Sequence, residues 1–297
     1  MGSFEFSEQP GLKDSVMIAA WAGWPDAAES ATRAVKELVR QLGAVKFGTL
    51  DPEDYYVFTD HRPEVFNRSG GGRGLNWPAN DLYYWRPPSE HEPGVLLLVG
   101  IEPDMRWRKY TSLLAETARA NGARLLITVG ALLDSVPHTR EPRVMGTTTY
   151  DQLGERYENV KYPRPNYEGP SGITSVTMDA FAKLDIPSVS IWGHAPHYVQ
   201  VAYNPTITTA ILKELQKFLQ PRLDLSALET QSKEFNQNLL QALEGQKELV
   251  GYVERLEERY DSEEAARGRS EPRELMAELE DFLRQQRTDD HGEETSA

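Results

Sequence analysis

Four short apolar runs, each closed by glycine, proline and ionisable residues, constrain the fold of this chain more than any other feature. Ser15–Ala22 runs into Gly23-Trp24-Pro25-Asp26, and Gly94–Ile101 into Glu102-Pro103-Asp104-Met105-Arg106. Ala123–Leu132 leads to Leu133-Asp134-Ser135-Val136-Pro137-His138-Thr139-Arg140, and Ser188–Trp192 to Gly193-His194-Ala195-Pro196-His197. Runs of this length, apolar throughout and separated by helical patterns, predict strands buried on both faces of a parallel sheet. Alternating strand and helix with long crossovers gives an α/β protein, here a three-layer αβα sandwich around a mostly parallel sheet in a core of residues 1–220. In such sheets, ligand groups gather at the carboxyl ends of the strands.

The helical stretches predicted between the strands are about Pro25–Leu42, Arg106–Asn121, Gly172–Leu184 and Tyr203–Leu219. Val45–Leu50, Tyr55–Phe58 and Arg143–Thr149 read as short strands, Tyr150–Tyr157 as a short helix and Gly193–Pro196 as a turn. Asp60–Asn80 reads as a long loop around Gly70-Gly71-Gly72. A glycine triplet cradles phosphate when a helix follows, whereas strand-like Leu82–Trp85 follows here. Beyond Pro221 the pattern becomes purely helical. Leu228, Ser232, Phe235, Leu239, Ala242, Gln246, Leu249, Val253, Leu256 and Tyr260 keep a 4-3 spacing, which predicts one amphipathic helix over 225–260, roughly 50 Å long. A shorter helix over 272–287 and a disordered acidic tail complete a helical extension, 221–297. Its apolar seam requires cover from the core or from another subunit.

The net charge is −14, and residues 221–297 hold ten Lys+Arg against twenty Asp+Glu, which leaves −4 for the first 220. That balance argues against nucleic-acid binding, which needs a basic stripe. With no cysteine, disulfides, thiolate metal sites and cysteine nucleophiles are excluded. Met1–Leu12 lacks the basic and apolar regions of a signal peptide, and no run reaches the ~20 apolar residues of a membrane helix. A cytoplasmic protein without membrane contact is the expectation.

The candidate ligand-binding residues are Asp26, Glu102, Arg106, Asp134, His138, Arg140, His194 and His197. Asp26 at a helix start suits a cap, and at a sheet edge also suits a ligand or acid–base carboxylate. Asp104 can cap the following helix. Arg106 then sits in a first turn that disfavours cations, as expected of a salt-bridge partner or an anion contact. Asp134, His138 and Arg140 share one loop, where an aspartate can orient a histidine base, but no Gly-x-Ser-x-Gly elbow supplies a nucleophile. His194 and His197 have His-x-x-His spacing without the helix or third ligand of a zinc site, so no metal and no cofactor is expected. In Gly169-Pro170-Ser171-Gly172-Ile173-Thr174, Ser171 reads as a helix cap, with an anion site as the alternative.

These blocks, taken in order, carry a resemblance. Ala22-Gly23-Trp24-Pro25-Asp26-Ala27-Ala28, Gly100-Ile101-Glu102-Pro103, Val129-Gly130-Ala131-Leu132, Pro142-Arg143-Val144-Met145-Gly146, Gly169-Pro170-Ser171-Gly172-Ile173, Gly193-His194-Ala195-Pro196-His197-Tyr198 and Asn204-Pro205 resemble the proteasome assembly chaperone 2 family in its bacterial branch. The resemblance spans about Val16–Leu219. It implies an αβα fold similar to the nucleoside phosphorylase/hydrolase type and self-assembly into a homo-oligomer, with a trimer among the candidate numbers. Archaeal and eukaryotic members act as non-enzymatic chaperones of proteasome subunits, and the family carries over no catalytic residues. Some members dock through a C-terminal hydrophobic-Tyr-X tail. This chain ends Thr295-Ser296-Ala297, so that mode is not expected.

Two functions are therefore expected to compete. One is a non-enzymatic homo-oligomeric protein-binding or assembly factor, with proteasome subunits or another protein engaged through the C-terminal helices. The other is a small-ligand binder or enzyme of the nucleoside hydrolase or phosphorylase type, using the strand-end cluster. Convergence of the eight candidates around an open pocket favours the second, and their pairing off as caps and salt bridges disfavours it.

Overall fold

The computed structural model describes residues 4–89, 92–157, 160–243 and 245–269. In chain order its elements are β1 (Phe4–Phe6), β2 (Ser15–Ala22), α1 (Ser30–Leu42), β3 (Val45–Leu50), β4 (Glu64–Asn67), β5 (Arg73–Asn76), β6 (Asp81–Trp85) and β7 (Gly94–Ile101). There follow α2 (Trp107–Ala120), β8 (Ala123–Asp134), β9 (Val144–Thr148), α3 (Leu153–Arg156), α4 (Ile173–Ala182), β10 (Ser188–Pro196), α5 (Pro205–Leu215), α6 (Ser226–Leu243) and α7 (Lys247–Arg269).

Eight strands form one mixed sheet in the order β1-β3-β6-β7-β2-β8-β10-β9. The four apolar runs are its centre, and β7, β2, β8 and β10 pair in parallel. Their trailing ends therefore share one rim. The outer pairings, β1–β3, β3–β6, β6–β7 and β10–β9, are antiparallel. This corrects the expected mostly parallel sheet: only the four apolar runs, buried on both faces, lie parallel, and the shorter, partly exposed strands outside them pair antiparallel. Alternation along β2 explains why both faces are covered. Val16, Ile18 and Ala20 pack with α1 and α5, whereas Met17, Ala19 and Trp21 pack with α2 and α4.

Three further differences have local causes. Segment 60–80 is not a plain loop: β4 and β5 form a separate antiparallel hairpin, turned by Gly71 and Gly72 at φ near +90°, a conformation glycine adopts without a Cβ penalty. Tyr55–Phe58 is no strand; Tyr55 and Tyr56 are buried behind a 3-10 turn, Pro52–Asp54. The expected helix 225–260 is broken between α6 and α7, where Gly245 takes φ +88°.

The chain divides into two compact units, Met1–Ala242 and Leu243–Ala297. Most of α6 thus lies in the first unit. Side-chain contacts explain this: Thr209 and Ser232 hydroxyls meet at 3.1 Å, and Lys213 Nζ lies 2.8 Å from Glu229. The predicted helix 272–287 and the acidic tail lie outside the described residues. Among the described residues no helix is long and apolar enough to cross a membrane.

Candidate functional site

The structure divides the eight candidate residues into two groups. Asp26, Glu102 and Arg106 hold the scaffold. A bridge pairs Asp26 with Ala131 at the end of β8, and Asp26 is buried. Its carboxylate accepts from the amides of Ala31 (2.7 Å) and Thr32 (3.2 Å) and from the Thr32 hydroxyl. It thus satisfies the orphan donors of α1 from outside the helix, because Ala28 and Glu29 take left-handed conformations and delay the helix start. Burial pushes the Asp26 carboxyl above its ordinary value, even against these hydrogen bonds.

Glu102 plays the same part for α4. Its Oε1 accepts from the Ile173 amide at 2.9 Å, so Ser171 is not the cap. A Cβ on Gly172 would stand 3.1 Å from the Trp24 ring and 3.2 Å from that carboxylate oxygen, which is why the block before α4 is glycine-rich. Arg106 lies at φ +57° ahead of α2 and pairs with Asp54 at 2.9 Å. The salt-bridge reading therefore holds. Asp104 does not cap α2; it accepts from the Val57 amide at 2.7 Å.

Asp134, His138, Arg140, His194 and His197 converge. The expected turn Gly193–Pro196 is instead the last part of β10, paired in register with β8 so that Pro196 lies opposite Asp134. Gly193 is there for packing, since a Cβ would meet Ile207 at 2.7 Å and Ile211 at 2.9 Å in α5. This pairing brings Asp134 Oδ2 within 2.8 Å of His194 Nδ1. The Ser135 amide donates to Asp134 Oδ1 at 2.7 Å. Burial opposes the Asp134 charge, but the hydrogen bonds from His194 and Ser135 outweigh it, and the carboxyl is held below its ordinary value. An ionised carboxylate only accepts, so His194 Nδ1 carries the proton. His197 meets the same residue at its backbone: its Nδ1 donates to the Asp134 carbonyl at 3.0 Å. Both histidines of the His-x-x-His pair are thus tied to Asp134, one at its carboxylate and the other at its backbone carbonyl, and among the described residues no group of three or more His, Cys, Asp or Glu could hold a metal.

His138 is fixed by Tyr198, whose hydroxyl accepts from the His138 amide at 2.9 Å and lies 2.7 Å from its Nδ1. Beside it lies a groove of about 820 Å³ between segment 138–144, α5 and α6, lined by His138, Arg140, Thr206, Lys213 and Asn236 among others. It continues into a niche of about 20 Å³, where His138 and Arg140 are joined by Arg143, His194 and Asn204. Residue-by-residue reading missed Arg143, Tyr198, Thr206 and Asn236. Only the Asn204-Pro205 pair carried a local signal, that of a helix start: Asn204 Oδ1 accepts from the Thr206 amide at 3.0 Å.

A model of the PAC2 family matches residues 20–243, which include the end of β2, all of β7, β8 and β10, and this groove. The chain belongs to the PAC2 family. A PAC2 family protein from Streptomyces avermitilis is 35% identical, with a TM-score of 0.73, covering 81% of this chain and 100% of that one. A proteasome-assembly chaperone homologue from Mycobacterium tuberculosis is 32% identical, with a TM-score of 0.71, covering 80% of this chain and 99% of the other. An archaeal proteasome activator from Pyrococcus furiosus shares the fold at 20% identity, with a TM-score of 0.64 and coverage of 82% and 99%. No curated protein matches the chain. The PAC2 resemblance read from the turn blocks is thereby shown.

Proposed function

We propose that this PAC2 family protein is a non-enzymatic, homo-oligomeric assembly factor of the cytoplasm that binds other proteins, chaperone-like toward proteasome subunits. The observation that carries the reading is the 32% identity to a proteasome-assembly chaperone homologue over 99% of that protein. The geometry agrees with it. Trp24, Met105, Leu133 and Val201 follow or end the four parallel strands and are exposed, Trp24 to 72%. Apolar side chains offered to solvent along one rim suit protein contact. Asp26 and Glu102 are occupied in holding helix starts and Arg106 in an ion pair with Asp54, so part of the strand-end charge serves the scaffold that presents this rim. The test is co-expression with the 20S proteasome α- and β-subunits of the same cell. Co-precipitation and an increased yield of assembled particles are expected; unchanged assembly without co-precipitation overturns the reading.

The groove beside Asp134 and His194 favours a second reading, a small-ligand binder with the finer likeness to the nucleoside phosphorylase/hydrolase sandwich. A ligand of the native state raises the melting temperature. A thermal-shift series with nucleosides and phosphate therefore supports this reading if it shows saturable stabilisation, and removes it if none is stabilising.

A further inference from the structure

The segment between β3 and β6 rises from the same rim as the parallel strand ends. β6 runs against β7 with Asp81 opposite Val99, and β3 runs against β6 with Thr49 opposite Asp81. The end of β3 and the start of β6 therefore lie on the side where β7 ends, and the β4–β5 hairpin is inserted between them. Its two strands pair only with each other. A lone two-stranded ribbon is marginally stable in water, so this arm needs support.

One face supports itself. Phe66 covers Gly74, where a Cβ would stand 2.4 Å from the ring. At the base, Phe58 and Trp77 meet edge to face at 4.9 Å. The other face stays open. Val65 lies opposite Leu75 in the register, which puts both on one side of the ribbon. Leu75 and Trp77 line a groove of about 640 Å³ at the base of the arm, together with Leu50 and Pro52. Val65, Leu75 and Trp77 are exposed, Val65 to 60%, and an apolar patch of this kind marks a protein contact.

Charge is divided between arm and groove. Residues 62–76 carry Arg62, Arg68 and Arg73 against Glu64 alone, in a chain of net charge −14. The groove carries Asp51 and Glu53, and also Asp81, which is paired with Lys46 at 2.8 Å. Among the described residues, Arg68, Arg73, Asp51 and Glu53 form no ion pair. Ser69-Gly70-Gly71-Gly72 keeps the tip between the two arginines narrow. The two halves of a complementary contact thus sit side by side on one chain without meeting. An arm and a groove on one face match a copy related by a two-fold rotation, in which each arm meets the other's groove. A second copy supplies both complements at once.

We propose that the tip of the β4–β5 arm seats in the groove at the base of the same arm of a second copy, with Arg68 and Arg73 against Asp51 and Glu53 and the Val65–Leu75 face covered by the contact. The inference rests on the homo-oligomer reading and names a contact on the same rim. A reciprocal contact of this kind gives even multiples of the chain.

The experiment measures self-association of the full-length protein by sedimentation equilibrium. Arg68→Glu with Arg73→Glu makes the arm acidic. Asp51→Asn with Glu53→Arg makes the groove basic, and asparagine keeps an acceptor for the backbone amide of residue 53, which Asp51 now receives at 3.1 Å. Each variant alone is expected to associate about tenfold or more weakly than wild type, because like charges then face each other across the contact. An equimolar mixture is expected to regain association, because both contacts of a mixed pair then join opposite charges. Recovery on mixing separates a charge contact from misfolding. Unchanged association of either variant, or a loss that mixing does not repair, overturns the proposal and leaves the homo-oligomer reading standing. A single-chain mass of wild type at every concentration overturns both. Unchanged association of the arm variant with loss of proteasome-subunit co-precipitation gives the arm to a foreign protein and likewise overturns the proposal.

Discussion

Replacing Asp134 with asparagine probes the link between the ends of β8 and β10 directly. The substitution keeps the shape and one acceptor oxygen, which can still receive the Ser135 amide now bound at 2.7 Å. It removes the carboxylate oxygen that receives His194 Nδ1 at 2.8 Å, and sets an amide N–H against that ring N–H. A hydrogen bond to a charged group contributes about 1.5–3 kcal/mol. The Asp134 side chain is 35% exposed, and solvent screening reduces the expected loss to about 1–2 kcal/mol. For a domain of this size that corresponds to a fall in melting temperature of roughly 2–8 °C.

The pH dependence makes the prediction specific. The folded Asp134 carboxyl is held below its ordinary value, so its contribution is present above the unfolded pKa and lost as pH falls through the folded one. Urea denaturation of wild type and Asp134→Asn should therefore show the largest gap near neutrality and a closing gap on acidification. A double-mutant cycle with His194→Ala should return a coupling of about 1 kcal/mol. A gap independent of pH, or a coupling near zero, refutes the reasoning.

Asp26→Asn should show the opposite sign. Burial raises the folded Asp26 carboxyl, so the stability it contributes is present below the unfolded pKa and lost as pH rises through the folded one. The stability difference between wild type and Asp26→Asn should therefore move in favour of the variant with rising pH, and a shift the other way in urea denaturation contradicts the burial argument. Glu102→Ala removes the acceptor of the Ile173 amide and should cost about 1 kcal/mol, with faster amide exchange in the first turn of α4; unchanged exchange there shows that Glu102 does not cap it. Gly100→Ala would place a Cβ 1.6 Å from Asn80 Oδ1, an oxygen that accepts from the Tyr110 hydroxyl at 2.9 Å, which in turn accepts from Trp21 Nε1 at 2.7 Å. A loss of about 3 kcal/mol or more is expected, with altered tryptophan fluorescence, and a stable protein with native fluorescence contradicts the packing.

The central strands were legible because burial on both faces leaves a continuous apolar run. β2 and β7 fall on the residues read from that pattern. The end of β10 was not legible, because Gly193 and Pro196 carry turn chemistry. Here Gly193 makes room for Ile207 and Ile211, and Pro196, last in the strand, forgoes a ladder donor at little cost. The antiparallel edges were hidden for a related reason: β1, β6 and β9 are short and partly exposed, and nothing local fixes their pairing. At the site, sequence marked where charges gather but not how they are spent. Asp26 and Glu102 lie close to helix starts whose orphan amides claim them. Asp134 and His194 are sixty residues apart and meet only through strand register.

The proposed homo-oligomer is expected to assemble through the rim that presents Trp24, Met105, Leu133 and Val201 to solvent. Light scattering of the full-length protein at micromolar concentration tests it in one measurement. A mass that is an integer multiple of the single chain, falling to lower multiples when Trp24 and Leu133 are replaced together by serine, is the predicted result. A single-chain mass at every concentration, or a multiple indifferent to those replacements, contradicts it.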